Sequence, residues 1–103
     1  SDSDVKSGQI PGELKLNPNY PNPFNPQTTM RFDLPGAMDV TLDVYNMNGQ
    51  RVKTLFTGRK SAGSHSVTWD GTDRNGMDVS SGVYIYRLLT RDVIQTRRMS
   101  LVR

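Results

Sequence analysis

The apolar residues of this chain sit in short runs with a period of two, and no segment carries them at helical spacing. Side chains alternate across a strand, so each such run buries one face and must find a second layer to bury it against. Thr28 to Leu34 is the clearest case: Thr28, Met30, Phe32 and Leu34 face one way, and Thr29, Arg31 and Asp33 the other. Asp39 to Asn46 follows, with Val40, Leu42 and Val44 inward. Gln50 to Phe56 places Val52 and either Leu55 or Phe56 inward. Ser64 to Trp69 aligns His65, Val67 and Trp69 on one face. Val83 to Thr90 is rich in β-branched and aromatic residues, as strands are. Val93 to Val102 carries Val93, Met99 and Leu101 on one face and Ile94, Thr96, Arg98, Ser100 and Val102 on the other. Leu14 to Leu16 predicts a short edge strand. About seven strands divided by turn signals predict an all-β fold, an antiparallel sandwich of immunoglobulin or fibronectin type III style, with an up-and-down barrel as the alternative.

The punctuation supports this reading. Asn48-Gly49 predicts a two-residue type I′ hairpin turn, Pro35-Gly36 and Arg91-Asp92 predict tight turns, and Gly58 to Gly63 predicts an exposed loop. The longest connection runs from Asp70 to Gly82, polar and broken by Gly71 and Gly76. It follows Trp69, the only tryptophan, and a large indole is the natural centre of a small core. Trp69, Asp70, Gly71, Gly82 and Tyr84 are therefore expected to hold the core and its turns. Four prolines between Pro18 and Pro26 exclude a helix or a central strand, because each lacks an N–H and fixes φ. That segment is expected to lie extended over the end of the sandwich, with Tyr20 and Phe24 as apolar anchors. Residues 1–13 are rich in Ser, Asp, Gly and Pro and read as a flexible linker, which leaves 14–103 as one domain.

Several function classes are disfavoured by what the chain carries. It has no cysteine, so disulfides, redox pairs and thiolate metal sites are excluded. Its net charge of +3 is mild, and no basic face interleaved with aromatics marks a nucleic-acid groove. No stretch approaches the roughly 20 apolar residues of a membrane span. No signal peptide is visible and the first residue is not methionine, which points to a piece of a larger or processed protein. The single histidine, His65, alternates with Val67 and Trp69 and is expected at the rim of the core rather than in a catalytic triad, and no G-x-S-x-G elbow is present. Asp70, Asp73, Asn75 and Asp78 supply oxygens near Gly71 and Gly76, the residue types of a calcium loop, but not at EF-hand spacing and with no closing Glu. The plainer expectation is that they cap turns, so no metal, no cofactor and no catalytic residue is expected.

Taken together and in order, six motifs are distinctive: Asn19-Tyr-Pro-Asn-Pro-Phe-Asn-Pro26, Val44-Tyr-Asn-Met-Asn-Gly49, Ala62-Gly-Ser-His65, Trp69-Asp-Gly71, Ser81-Gly-Val-Tyr-Ile-Tyr86 and Arg97-Arg-Met-Ser-Leu-Val-Arg103. Over about residues 14 to 103 the chain closely resembles the type IX secretion system type A C-terminal sorting domain, a family related to the Ig-like domain of the flagellar hook-capping protein. The resemblance implies a non-catalytic module at the end of a larger secreted cargo protein, often a hydrolase, of Bacteroidetes and related phyla. The cargo would enter the periplasm of a Gram-negative cell and cross the outer membrane through the type IX translocon to the surface or the medium. In many members a sortase-like protease then removes the domain, here by a cut within residues 1–13. Recognition residues in the family lie mainly in the last strand, which implies Arg97, Arg98, Met99, Leu101, Val102 and Arg103.

An edge strand with unpaired backbone groups and basic side chains suits such a role, since a receptor can add a strand to it. Two other readings stay open on the residues alone. One is a carbohydrate-binding module, which needs an exposed aromatic row, with Tyr45, Tyr84 and Tyr86 as candidates. The other is a spacer or assembly domain that works without the terminal basic run.

Overall fold

The structure, a computed structural model, describes residues 12–103. The expected linker, 1–13, lies outside the described residues except for Gly12 and Glu13. Seven strands form among the described residues: β1 (Lys15–Leu16), β2 (Thr28–Leu34), β3 (Met38–Asn46), β4 (Arg51–Lys60), β5 (Gly63–Trp69), β6 (Gly82–Leu89) and β7 (Ile94–Leu101). They build two antiparallel sheets, β1-β2-β5 and β4-β3-β6-β7. No helix is present among them, and so none that is long and apolar enough to cross a membrane.

The period of two becomes the core directly. Met30, Phe32 and Leu34 of β2 and Trp69 of β5 face Val40, Leu42 and Val44 of β3, Tyr84, Tyr86 and Leu88 of β6, and Met99 and Leu101 of β7; all are buried. Each such side chain contributes about 1.5–3 kcal/mol on leaving water. Register is tight where it matters: β2 and β5 pair residue for residue from Thr28↔Trp69 to Leu34↔Gly63. A slip of one residue would turn every inward side chain to solvent.

The structure differs from the sequence expectation at several points. The hairpin after β3 is not a two-residue type I′ turn. Gly49 N–H donates to Asn46 O and Asn46 N–H to Gln50 O, so the turn is centred on Met47-Asn48 and Gly49 follows with φ +82°. This is the three-residue loop in which glycine takes the left-handed position. Asn46 Oδ1 adds to it, accepting Asn48 N–H and Gln50 N–H. The expected loop at 58–63 shrinks to Ser61-Ala62, because β4 keeps pairing with β3 as far as Met38↔Lys60. A register shift between Leu42 and Asp43 leaves Leu55 and Phe56 both partly buried, where one was expected.

Tyr20 is not an anchor: it is 81% exposed. Its backbone bonds Thr29 in both directions at 2.9 Å, which turns the ring away from the sandwich. Phe24 does anchor the proline-rich segment, 5.7 Å from the Trp69 ring. Val93 falls in the turn before β7 rather than on its inner face. The inner face is completed by two polar residues that sequence patterning did not single out. Gln95 Oε1 accepts Leu16 N–H at 2.8 Å and Gln95 Nε2 donates to Leu14 O at 3.3 Å, while Arg97 Nε donates to Leu16 O at 2.6 Å. Side chains of β7 thus close the open side of the sandwich against β1, satisfying backbone groups that have no ladder partner there.

Candidate functional site

The last strand and the connection that precedes its partner form one unit. β7 pairs only with β6, from Gly82↔Leu101 to Leu89↔Ile94, so its other side is a sheet edge. At the C-terminal end that edge is covered by the proline-rich segment. Phe24 N–H donates to Ser100 O at 2.9 Å, Val102 N–H donates to Phe24 O at 2.8 Å, and Ser100 N–H donates to Asn22 Oδ1 at 3.0 Å.

The six residues expected to carry recognition all lie on or just after this strand, but in four different environments. Met99 and Leu101 are buried in the core, so a partner meets their backbone and not their side chains. Arg98 and Val102 point to the outer face of the four-stranded sheet and are exposed, while Arg97 lies on the inner side at the sandwich margin. Arg103 reaches back into the 70–82 connection: its N–H donates to Ser81 Oγ at 2.9 Å, Nε to Val79 O and Nη2 to Gly71 O, with the Asp78 carboxylate 3.7 Å away. Arg103 is a clamp on that connection.

The same connection holds the residues expected to be structural. Trp69 is buried between Phe24 and Tyr84, its ring 5.4 Å from the Tyr84 ring, and its Nε1–H donates to Thr72 O at 2.8 Å. Tyr84 O–H donates to Ser80 O at 2.7 Å, and Gly82 begins β6. Gly71 has φ +78°, and a Cβ there would meet Arg103 Nη2 at 2.8 Å and Pro26 O at 3.2 Å. Gly71→Ala combines a left-handed backbone with this crowding, and is expected to cost about 1–3 kcal/mol, read as a lower midpoint in urea unfolding.

Of the carboxylates weighed as calcium ligands, Asp70 and Asp73 are turned to their own loop, and Asp78 faces Arg103. Asp70 Oδ1 accepts Thr72 Oγ1–H at 2.6 Å and Thr72 N–H at 3.2 Å; Asp73 Oδ1 accepts Asn75 N–H at 2.9 Å and Met77 N–H at 3.0 Å. No group of three acidic or histidine side chains converges among the described residues. The Thr72 hydroxyl, helped by the Lys53 charge, holds the Asp70 carboxyl below its ordinary 3.8. A folded-state pKa below the unfolded value means stability that is present above 3.8 and lost as pH falls through the folded-state value. Asp70→Asn is therefore expected to flatten the fall of melting temperature just below pH 3.8, measured in a pH series by circular dichroism.

Tyr84 and Tyr86 are buried, and Tyr45 is half-buried beneath the Arg87 guanidinium at 4.9 Å, so the exposed aromatic row of a carbohydrate platform is not formed. His65 sits at the core rim, 5.5 Å from the Phe32 ring, with Nε2–H donating to Ser61 O at 2.7 Å. Two polar features had no sequence signal. Asp43 is buried on the outer side of β3, where it accepts from Thr54 Oγ1 at 2.6 Å and pairs with Arg87 at 3.4 Å. A groove of about 510 Å³ opens beside β7, between Pro18, Asn19 and Asn22 on one wall and Thr96, Arg97 and Arg98 on the other.

Two antiparallel sheets of three and four strands, closed around a Trp69-centred core, define an immunoglobulin-like β-sandwich. Residues 19–91 match the FlgD Ig-like domain, and the chain belongs to that family. The basal-body rod modification protein FlgD of Escherichia coli K12 is 40% identical over 58 residues, which are 55% of this chain and 25% of that protein. The chain thus spans about a quarter of the curated relative it matches. Among solved structures, latent dimeric PorU of Porphyromonas gingivalis superposes with a TM-score of 0.71 at 20% identity, over 95% of this chain and 10% of PorU. PorZ of the same organism, an essential bacterial surface component of the type-IX secretion system, superposes at 0.55 and 20% identity, over 87% of this chain and 11% of PorZ. Both share the fold.

Proposed function

We propose that this domain is a non-catalytic sorting module, which directs a protein joined to it through the type IX secretion system to the cell surface or the medium. The observation that carries this reading is the build of the last strand. β7 is locked to the core by Met99 and Leu101, yet presents an edge and a basic side chain, Arg98, to solvent. The ordered motifs from Asn19 to Arg103 support it, as does the shared fold with PorU and PorZ. The partners under this reading are translocon components that hold the edge and a sortase-like protease acting ahead of Leu14. FlgD membership favours a second reading, an assembly or spacer role in a larger structure.

The two readings part on Arg98. A reporter preceded by a signal peptide and followed by residues 1–103 would be expressed in a bacterium with a working type IX system, beside an Arg98→Glu version. Sorting predicts the wild-type fusion on the surface or in the medium and the variant held back in the periplasm by about tenfold or more. Equal export of both removes β7 from the reading. Retention of both, with the domain folded, favours assembly.

A further inference from the structure

The edge of β7 is covered at one end only. Ser100 sends its N–H and C=O away from β6, to Asn22 and Phe24. Backbone groups alternate sides along a strand, and the β6–β7 register has no shift between Gly82↔Leu101 and Leu89↔Ile94. Ile94, Thr96 and Arg98 therefore also point their N–H and C=O groups away from β6, and no described residue pairs with them. The groove of about 510 Å³ runs beside this stretch.

Charge and polarity narrow what fits. Arg59, Arg87 and Arg103 each lie within 4 Å of a carboxylate, whereas no described carboxylate pairs with Arg97 or Arg98. Asn19, on the opposite wall and almost fully buried, donates from Nδ2 to Pro21 O and Thr28 Oγ1, and its Oδ1 has no donor among the described residues. Natural sheets protect exposed edges with proline, bulges or charge. Here the proline-rich segment bonds the strand only at the Ser100 end, with Pro18 across the groove, and the remaining stretch carries only positive charge. A second copy pairing through the same five residues would bring four arginines to one edge with no carboxylate among those residues to offset them.

We propose that Ile94 to Arg98 is a strand-addition site for an extended acidic segment, about five residues long at roughly 3.3 Å per residue, belonging to a partner protein. The partner backbone pairs with Ile94, Thr96 and Arg98, and acidic side chains on its outer face meet the Arg98 guanidinium, while Arg97 on the inner side adds to the positive field. This rests on the reading of β7 as the recognised strand, and names the partner's chemistry.

Thr96→Pro tests it. The Thr96 N–H faces the free side, so proline there removes a docking donor without taking a bond from the β6 ladder, and such solvent-facing edge positions tolerate proline. The probe is fluorescein-Gly-Thr-Val-Asp-Val-Asp-Val-Gly, followed by anisotropy on the full chain, beside the same peptide with Lys in place of Asp. The expected result is binding of the acidic peptide at least about tenfold tighter than the lysine one, weakened by salt. Thr96→Pro should lose it by a similar factor while the melting temperature holds. If Thr96→Pro does not fold, a peptide N-methylated at alternate amides replaces it: loss of binding supports strand addition, and unchanged binding overturns it. Equal binding of both peptides, or full binding by folded Thr96→Pro, overturns the proposal. Binding seen only after Asp2→Asn and Asp4→Asn makes the chain's own acidic start the occupant, and overturns the assignment to a partner. Export separates this from the sorting reading. A folded Thr96→Pro fusion that cannot bind but is exported normally sinks the edge site alone. A wild-type fusion that binds the peptide but is never exported sinks sorting alone.

Discussion

Trp69→Ala is expected to lower the melting temperature by roughly 15–30 °C. Trp69 is 1% exposed, packs against Phe24 and Tyr84, and is the buried point from which the 70–82 connection departs. Removing a buried tryptophan side chain costs about 3–5 kcal/mol, because the lost burial is compounded by the cavity left behind. In a domain of this size each kcal/mol moves the melting temperature by about 4–8 °C. Trp69→Phe separates the two parts of the effect. It keeps an aromatic ring beside Phe24 and Tyr84, and leaves Thr72 O without its 2.8 Å donor, at about 1–3 kcal/mol. Thermal melts followed by far-UV circular dichroism give the order wild type, Trp69→Phe, Trp69→Ala. An alanine variant melting within a few degrees of wild type would show that the core is not centred on Trp69.

The second large effect is loss of the folded state when residues 99–103 are deleted. The cut removes Met99 and Leu101 from the core, each truncation of this kind being worth about 2–5 kcal/mol. It also removes the Val102–Phe24 bond and the Arg103 clamp on Gly71, Val79 and Ser81. The sum is comparable with the whole stability of a small domain, about 5–15 kcal/mol. The shortened chain is therefore expected to give the poorly dispersed amide NMR spectrum of an unfolded protein at room temperature. A dispersed, native-like spectrum would refute this. The consequence for function is practical. Deleting the tail removes the fold and the exposed basic edge together, so lost export would say nothing about recognition. Arg98→Glu changes an outward side chain with no ion pair among the described residues, and is expected to stay within about 0.5 kcal/mol of wild type.

That contrast shows where sequence reading stops. In β7, Met99 and Leu101 are visible as an apolar alternation, and the structure buries both. Arg97 and Arg98 look alike in sequence, but adjacent strand residues point to opposite faces. Both are exposed, but Arg97 is tied to the Leu16 carbonyl while Arg98 makes no side-chain bond among the described residues. Tyr20 and Phe24 look like equal anchors in the proline-rich segment. Only pairing of Tyr20 with Thr29 across the segment turns one ring out and leaves the other beside Trp69. Asp43 gives no signal at all, because its burial depends on Thr54 and Arg87, residues brought to it from two neighbouring strands.

The all-β class, the faces of β2, β3 and β5, the tryptophan-centred connection and the turn chemistry of Asp70 and Asp73 were legible in the residues alone, since these depend on period and on residues a few positions apart. Tertiary structure alone decided that β7 is an edge, that the proline-rich segment covers just its C-terminal end, and that Gln95 and Arg97 bond to β1 roughly 80 positions away. Those outcomes rest on which strands become neighbours, and pairing between distant strands is set by how two sheets share one core rather than by any local pattern.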